Sequence, residues 1–166
     1  MTLIDSDMRD IVDNAMLAFV ATVTPDGSPN LSPKGSVRIY DDKHLVFMDI
    51  DSPGTIANLS ENPRIEIAVV DFLRRRGYRF SGAAELRRPG SSVYEWLNQW
   101  LRERNGPGYP ANRAVLVCVD RVRPILSPAY TYGGADEQSL ITQFSATYLS
   151  RTDAASSSPQ AELPCD

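Results

Sequence analysis

The sequence predicts a mainly β protein, a six-stranded antiparallel barrel with inserted helices. Apolar runs alternate with strong turn signals, such as Pro-Asp-Gly-Ser at residues 25–28 and Asp-Asp-Lys at residues 41–43. Strands separated by such short turns pair antiparallel with their neighbours. The chain has 166 residues, of which 42% are hydrophobic, enough for one domain with a hydrophobic core. Closing the sheet into a barrel would leave no exposed strand edge.

The first part of the chain predicts one helix and three strands. Apolar residues at helical spacing between residues 5 and 16 predict a short packing helix. Apolar and alternating runs bounded by turns predict the strands, which span residues 17–24, 30–40 and 44–49. Pro33 and Gly35 make the second of these strands irregular.

The third predicted strand runs straight into the N-terminus of a short helix, residues 53–62. Ser52 is a good N-cap, Pro53 suits the first helical position, and the Asn-Pro pair that follows ends the helix. Free backbone N–H groups and the helix dipole favour an anion at this end, and Gly54 has no side chain to obstruct one. Because most capped helix N-termini bind only water, this feature by itself indicates no more than a candidate phosphate site.

The rest of the chain continues the alternation of strands and helices. Predicted strands span residues 64–71, 78–86 and 113–125, and predicted helices span residues 91–104 and 135–149. Trp96 and Trp100 lie four residues apart and are expected to pack in a core or at a dimer contact. We expect one domain over residues 1–150, and a disordered polar tail over residues 151–166 because this end is Ser-rich.

Composition excludes several classes of function. A net charge of −4 argues against nucleic-acid binding, because the phosphate backbone would repel the chain. No apolar stretch is long enough to span a bilayer and no basic or apolar signal region begins the sequence, so a cytoplasmic protein without membrane contact is expected. One histidine and two cysteines predict neither a metal site, a catalytic triad nor a disulfide framework.

Taken in order, the segments over residues 8–125 resemble the split-barrel flavoproteins of the pyridoxamine 5'-phosphate oxidase family. The matching segments are Phe19-Val20-Ala21-Thr22-Val23 with Asp26-Gly27, Asn30-Leu31-Ser32-Pro33-Lys34-Gly35-Ser36, Leu45-Val46-Phe47-Met48-Asp49, the helix with Leu59, Asn62 and Pro63, and Arg79-Phe80-Ser81-Gly82. The resemblance implies a split β-barrel that binds FMN at the interface of a homodimer.

The resemblance also implies which residues contact the cofactor. The isoalloxazine ring would be bordered, largely through backbone groups, by Ser32, Pro33, Lys34, Gly35 and Ser36. The ribityl chain would lie near Met48 and Asp49, and the phosphate would meet Ser52, Gly54 and Thr55.

This chain departs from the family pattern at the phosphate end. Many relatives have a basic pair where this sequence has Gly54 and Thr55, so charge-assisted phosphate contacts are missing there. Lys34, Arg38 and the run Arg74-Arg75-Arg76 are the candidates to replace them. We favour Arg75 or Arg76, since three consecutive arginines make a positive patch; the alternative is a solvated turn.

The leading functional hypothesis is an FMN-dependent oxidoreductase that transfers hydride or electrons to or from a small molecule such as a reduced nicotinamide. No side chain stands out as a catalytic acid or base. A deazaflavin-dependent reductase is one alternative, because the arginine run would suit that coenzyme's long anionic tail. Another is a non-catalytic flavin- or haem-binding protein, although the single histidine, His44, is predicted to lie at a turn, which argues against axial haem ligation.

Overall fold

The computed structural model describes residues 3–156, which contain five helices and seven strands. The helices are α1 (Ser6–Asn14), α2 (Pro53–Glu61), α3 (Ser92–Asn105), α4 (Pro128–Tyr132) and α5 (Glu137–Ser156). The strands are β1 (Ala18–Val23), β2 (Pro29–Lys34), β3 (Arg38–Ile39), β4 (His44–Asp49), β5 (Arg64–Asp71), β6 (Arg76–Arg87) and β7 (Arg113–Leu126). α4 was not predicted from the sequence. None of the helices described is long and apolar enough to cross a membrane.

All seven strands form one antiparallel sheet in the order β2-β1-β5-β6-β7-β4-β3. The predicted mainly β antiparallel class is confirmed, but the prediction of six strands was wrong by one. The predicted strand over residues 30–40 is two strands, because β2 pairs with β1 whereas β3 pairs with β4 at the opposite end of the sheet. Residues 35–37 connect these two edge strands, and hydrogen bonding does not join β2 to β3 in the described sheet.

The curled sheet encloses the main hydrophobic core, and β4 contributes residues to both hydrophobic clusters. Leu45 and Phe47 point into this core, whereas Val46 and Met48 pack on the other face in a second cluster with α3. Residues Leu45 to Asp49 are therefore all buried, although successive strand residues face opposite sides of the sheet. Burial on both faces explains the uninterrupted apolar run in the sequence.

The described chain divides into two compact units. Residues 3–71 and 76–126 form the first, and residues 72–75 and 127–156 form the second. Within the second unit, the Tyr130 hydroxyl donates a hydrogen bond to the Arg74 carbonyl at 2.6 Å. The predicted domain over residues 1–150 spans both units. Of the predicted disordered tail, residues 151–156 belong to α5, and residues 157–166 lie outside the described residues.

Candidate functional site: the junction between β4 and α2

The junction between β4 and α2, residues 49–55, buries several polar side chains. Asp49, Ser52 and Thr55 are each less than one-tenth exposed. The Oδ1 atom of Asp49 has no hydrogen-bond partner among the described residues. Ser52 is the N-cap of α2, yet its side chain makes no capping hydrogen bond. Since a buried polar atom without a partner costs free energy, Asp49 Oδ1 is suited to meet a ligand.

Gly54 leaves open space at the first turn of α2. A Cβ atom built on it would meet nothing within 4 Å. The backbone N–H groups of this turn carry the positive end of the helix dipole, which favours an anion. The space beside Gly54 is therefore free of other described residues.

Lys34 is the buried cation associated with this junction. Its Nζ donates to Ser32 Oγ at 2.5 Å and lies 3.5 Å from the Pro33 carbonyl oxygen. Burial lowers the pKa of Lys34, while the charges of Asp49 and Asp51 oppose that shift. The charge of Lys34 therefore interacts favourably with two carboxylates, that of the last residue of β4 and that of Asp51 just after it.

Ser36 lies in the connection between β2 and β3 and contacts β4. Its Oγ is buried and accepts a hydrogen bond from the Met48 backbone N–H at 3.0 Å. The side chain of Met48 itself packs in the cluster with α3. Of the predicted ring-bordering residues, Ser32 is half-buried, whereas Pro33 and Gly35 are exposed.

A neighbouring hydrogen-bond network was missed from the sequence. The side-chain amides of Asn30 and Asn58 both donate to Thr22 Oγ1, each at 3.0 Å, and Asn58 and Thr22 are buried. The network ties α2 to β1 and β2. One sequence signal could have identified it: Asn58 follows Thr55 by three residues and so lies on the same face of the helix.

The two arginines preferred for phosphate binding have other contacts. Arg76 forms a bidentate ion pair with Asp7, at 2.8 and 2.9 Å, and Tyr78 also donates to that carboxylate. Arg75 has a positive φ of 56°, and its guanidinium lies 4.6 Å from the centre of the Phe144 ring. Their role toward a phosphate stays a prediction, as does that of Lys34, whose pKa is affected by the charges of Asp49 and Asp51.

The chemistry available at the junction is the binding of an anionic, hydroxyl-rich ligand. Backbone amides, two hydroxyls and an ammonium group can donate hydrogen bonds, and Asp49 Oδ1 can accept one. Among residues 3–156, no group of three or more His, Cys, Asp or Glu side chains could hold a metal ion.

Comparisons with known proteins place this fold in one family. A family model described as pyridoxamine 5'-phosphate oxidase matches residues 4–126. HupZ of Group A Streptococcus is 37% identical, with a TM-score of 0.67, over 75% of this chain and 96% of that chain. No curated protein matches the chain.

More distant structures share the split-barrel fold. An FMN-binding protein from Syntrophomonas wolfei is 14% identical with a TM-score of 0.65, over 72% of this chain and 84% of that one. General Stress Protein 26 from Bacillus anthracis is 17% identical with a TM-score of 0.56, over 71% of this chain and 90% of that one. The extent of the family match and the identity to HupZ decide the assignment: the chain belongs to the pyridoxamine 5'-phosphate oxidase family.

Proposed function

We propose that the protein is an FMN-dependent oxidoreductase whose cofactor binds at the junction of β4 and α2. The observation that carries the proposal is the buried polar junction itself, with an orphaned Asp49 Oδ1 beside a helix N-terminus left open at Gly54. FMN combines a phosphate, a chain of hydroxyls and a planar ring, and the first two match these groups. Membership of the family and the FMN-binding neighbour from Syntrophomonas wolfei support the same assignment.

In this proposal the phosphate binds to the amides of the first turn of α2, with the hydroxyls of Ser52 and Thr55 as further donors. Lys34 supplies the positive charge that Gly54 and Thr55 lack. Asp49 Oδ1 accepts a hydrogen bond from a ribityl hydroxyl, which satisfies its unpaired oxygen. Met48 contributes through its backbone, since its side chain packs against α3.

The ring lies along residues 32–36, where the backbone of β2 leaves the sheet. When bound, the flavin supplies the hydride or electron chemistry. The protein binds and orients the flavin and limits the access of water. We place the flavin between two copies of the chain, with a small molecule such as a reduced nicotinamide as the redox partner. In such a dimer, Arg75 or Arg76 would have to leave its present contact, with Phe144 or Asp7 respectively, to act as a second phosphate contact.

One observation favours a second candidate, a non-catalytic haem-binding protein. The Nδ1 atom of His44 lies 2.7 Å from a carboxylate oxygen of Asp41. Metal-ligating histidines commonly donate one ring N–H to a carboxylate in this way, which leaves the other nitrogen for the metal. A deazaflavin coenzyme remains the third candidate, because its anionic tail would bind the same phosphate-binding groups.

A titration with each cofactor distinguishes these candidates. Full-length protein is mixed separately with FMN, haem and the deazaflavin coenzyme, and flavin fluorescence or the visible spectrum is recorded. We expect FMN fluorescence to be quenched on binding, and anaerobic addition of a reduced nicotinamide to bleach the bound flavin. A haem spectrum that depends on His44, with no flavin binding, would replace this proposal by the second candidate.

Gly54→Glu tests the position of the phosphate. A carboxylate at this position would repel the phosphate, so we expect FMN binding to weaken by at least about tenfold. The helix itself should tolerate the change, because an acidic residue in the first turn stabilises a helix by about 0.3–1 kcal/mol. Ser60→Glu adds the same charge at the exposed C-terminal end of α2 and is the matched control. Equal FMN affinity of the two variants would refute the phosphate position.

A further inference from the structure

A cavity of about 280 Å³ lies in the first unit, where the chain leaves β2 and α3 ends. It is lined by Met16, Gly35, Ser36, Ile50, Trp100, Leu101, Arg104, Asn105 and Tyr109. Two of these residues, Gly35 and Ser36, are also the predicted neighbours of the flavin ring. The volume is at the lower limit for small-molecule sites, so the cavity suits a ligand with a single ring rather than a three-ring flavin.

The cavity combines aromatic and apolar surfaces with a few polar groups. Trp100 and Tyr109 offer aromatic surface, and Ile50 and Leu101 add aliphatic contacts. The Ser36 hydroxyl accepts a hydrogen bond from Met48, so its own proton can be donated to a ligand. The lining is about equally apolar and polar, and small-molecule sites commonly combine apolar walls with a few directed polar groups.

The charge around Trp100 is positive. The guanidinium of Arg38 lies 4.0 Å from the centre of the indole ring, and that of Arg104 lies 5.8 Å from it. Burial and the neighbouring charge of Arg104 lower the pKa of Arg38, while Asp13 opposes the shift. None of the described residues that line the cavity is acidic. A bound anion would therefore reduce the repulsion between two like charges on one aromatic ring.

We infer that this cavity binds a small planar aromatic carboxylate, with its ring against Trp100 and its carboxylate on Arg104. Asn105 and the Ser36 hydroxyl supply further hydrogen bonds to the carboxylate. Because Gly35 and Ser36 border both this cavity and the flavin ring, aromatic carboxylates would be the substrate class. This last step rests on the proposed flavin function, whereas binding in the cavity does not.

Benzoate is the probe, titrated by calorimetry into the full chain without flavin. Benzamide has the same shape without the charge, and acetate has the charge without the ring. We expect benzoate to bind at least about tenfold more tightly than either, because only benzoate can use both the indole and the guanidinium. Equal affinity for benzamide, or no benzoate binding, would overturn the inference.

Two matched pairs of variants locate the ligand. Arg104→Gln should weaken benzoate binding about tenfold, whereas Arg102→Gln should leave it unchanged, although both arginines occupy the last turn of α3. Quenching of tryptophan fluorescence by benzoate should disappear in Trp100→Phe and persist in Trp96→Phe. Loss of binding with Arg102→Gln but not with Arg104→Gln would place the ligand elsewhere.

The FMN titration separates this inference from the proposed function. FMN binding without benzoate binding would refute the cavity site and leave the flavin proposal standing. Benzoate binding without FMN binding would refute the substrate role, because the cavity would then have no cofactor beside it. We expect both ligands to bind, and benzoate to shift the visible spectrum of the bound flavin only when Arg104 is present.

Discussion

At the scale of a single residue, Lys34 combines an unfavourable burial of charge with a proposed role in binding the phosphate. Its ammonium group is largely removed from water, and the hydroxyl of Ser32 and the charges of Asp49 and Asp51 compensate for part of the lost hydration. A buried charge is rarely retained for stability alone. An anion at the junction would complete the compensation, which is why we assign Lys34 to the FMN phosphate.

The lowered pKa of Lys34 gives a pH-dependent prediction. In the unfolded chain the lysine titrates near 10.5, above its folded value. Between these two pKa values the unfolded state binds more protons, so stability rises with pH. The gain is about 1.4 kcal/mol for each unit by which the folded pKa lies below the unfolded one. We expect the free energy of unfolding of the wild type, relative to Lys34→Met, to increase as pH rises toward 10.5.

Urea unfolding of both proteins between pH 7 and pH 10.5 measures this difference. Groups other than Lys34 titrate similarly in the two proteins, so their contributions largely cancel. Parallel pH dependences of the two proteins would contradict a perturbed Lys34.

At the scale of the elements, the break between β2 and β3 places the Ser36 side chain against the end of β4. β3 pairs with β4 through Arg38–Val46 and Ile39–Leu45. Continuing that register would place residue 36 opposite residue 48, but the backbone ladder stops before this point. The Ser36 side chain accepts the Met48 N–H instead. A side chain thus satisfies a buried donor of β4 while the backbone of residues 35–37 crosses between the edge strands.

Ser36→Ala should therefore destabilise the fold. The buried Met48 N–H would lose its acceptor, and an unsatisfied buried donor costs about 1–3 kcal/mol. Ser60→Ala is the control, because the Ser60 hydroxyl bonds to Ile56 on the exposed side of α2. Its effect should stay within about 0.5 kcal/mol. Denaturant midpoints with unchanged m-values measure both effects, and equal destabilisation by the two changes would argue against a structural role for the Ser36 bond.

At the scale of the whole molecule, the first compact unit and the family match end at the same residue. The unit ends at Leu126, and the family model matches residues 4–126. All seven strands and both hydrophobic clusters belong to this unit. The sheet and the residues named at the junction therefore all lie within this unit.

A chain that ends after Leu126 should fold and bind FMN. We expect cooperative thermal unfolding by circular dichroism and an FMN affinity within about threefold of the full chain, because every residue assigned to the junction is retained. A chain that ends after Val119 lacks residues 121–126 of β7, which pair with residues 76–81 of β6. We therefore expect it not to unfold cooperatively. A chain ending after Leu126 that is unfolded or aggregated would show that the second unit is required for folding.

The sequence alone determined several of the local elements, including the strand and helix that meet at the junction. Strands at residues 44–49 and 64–71 have the bounds that the sequence predicts, and α2 begins after Ser52 as expected. These features depend on neighbours in the chain, such as a Pro at the first helical position or an uninterrupted apolar run. The N-cap position of Ser52 and the open position of Gly54 follow from the same local signals, whereas the roles of Ser52, Gly54 and Thr55 toward a phosphate came from the family resemblance and stay predictions.

The tertiary structure alone decided the split of the second predicted strand and the partners of the basic residues. Lys34 is coupled to Asp49 and Asp51, whereas Arg76 is paired with Asp7. These partners are separated by many residues in the sequence, and strand register and helix packing bring them together. Local propensity contains no information about such long-range contacts, so only the fold could show which carboxylates each of these cations lies near.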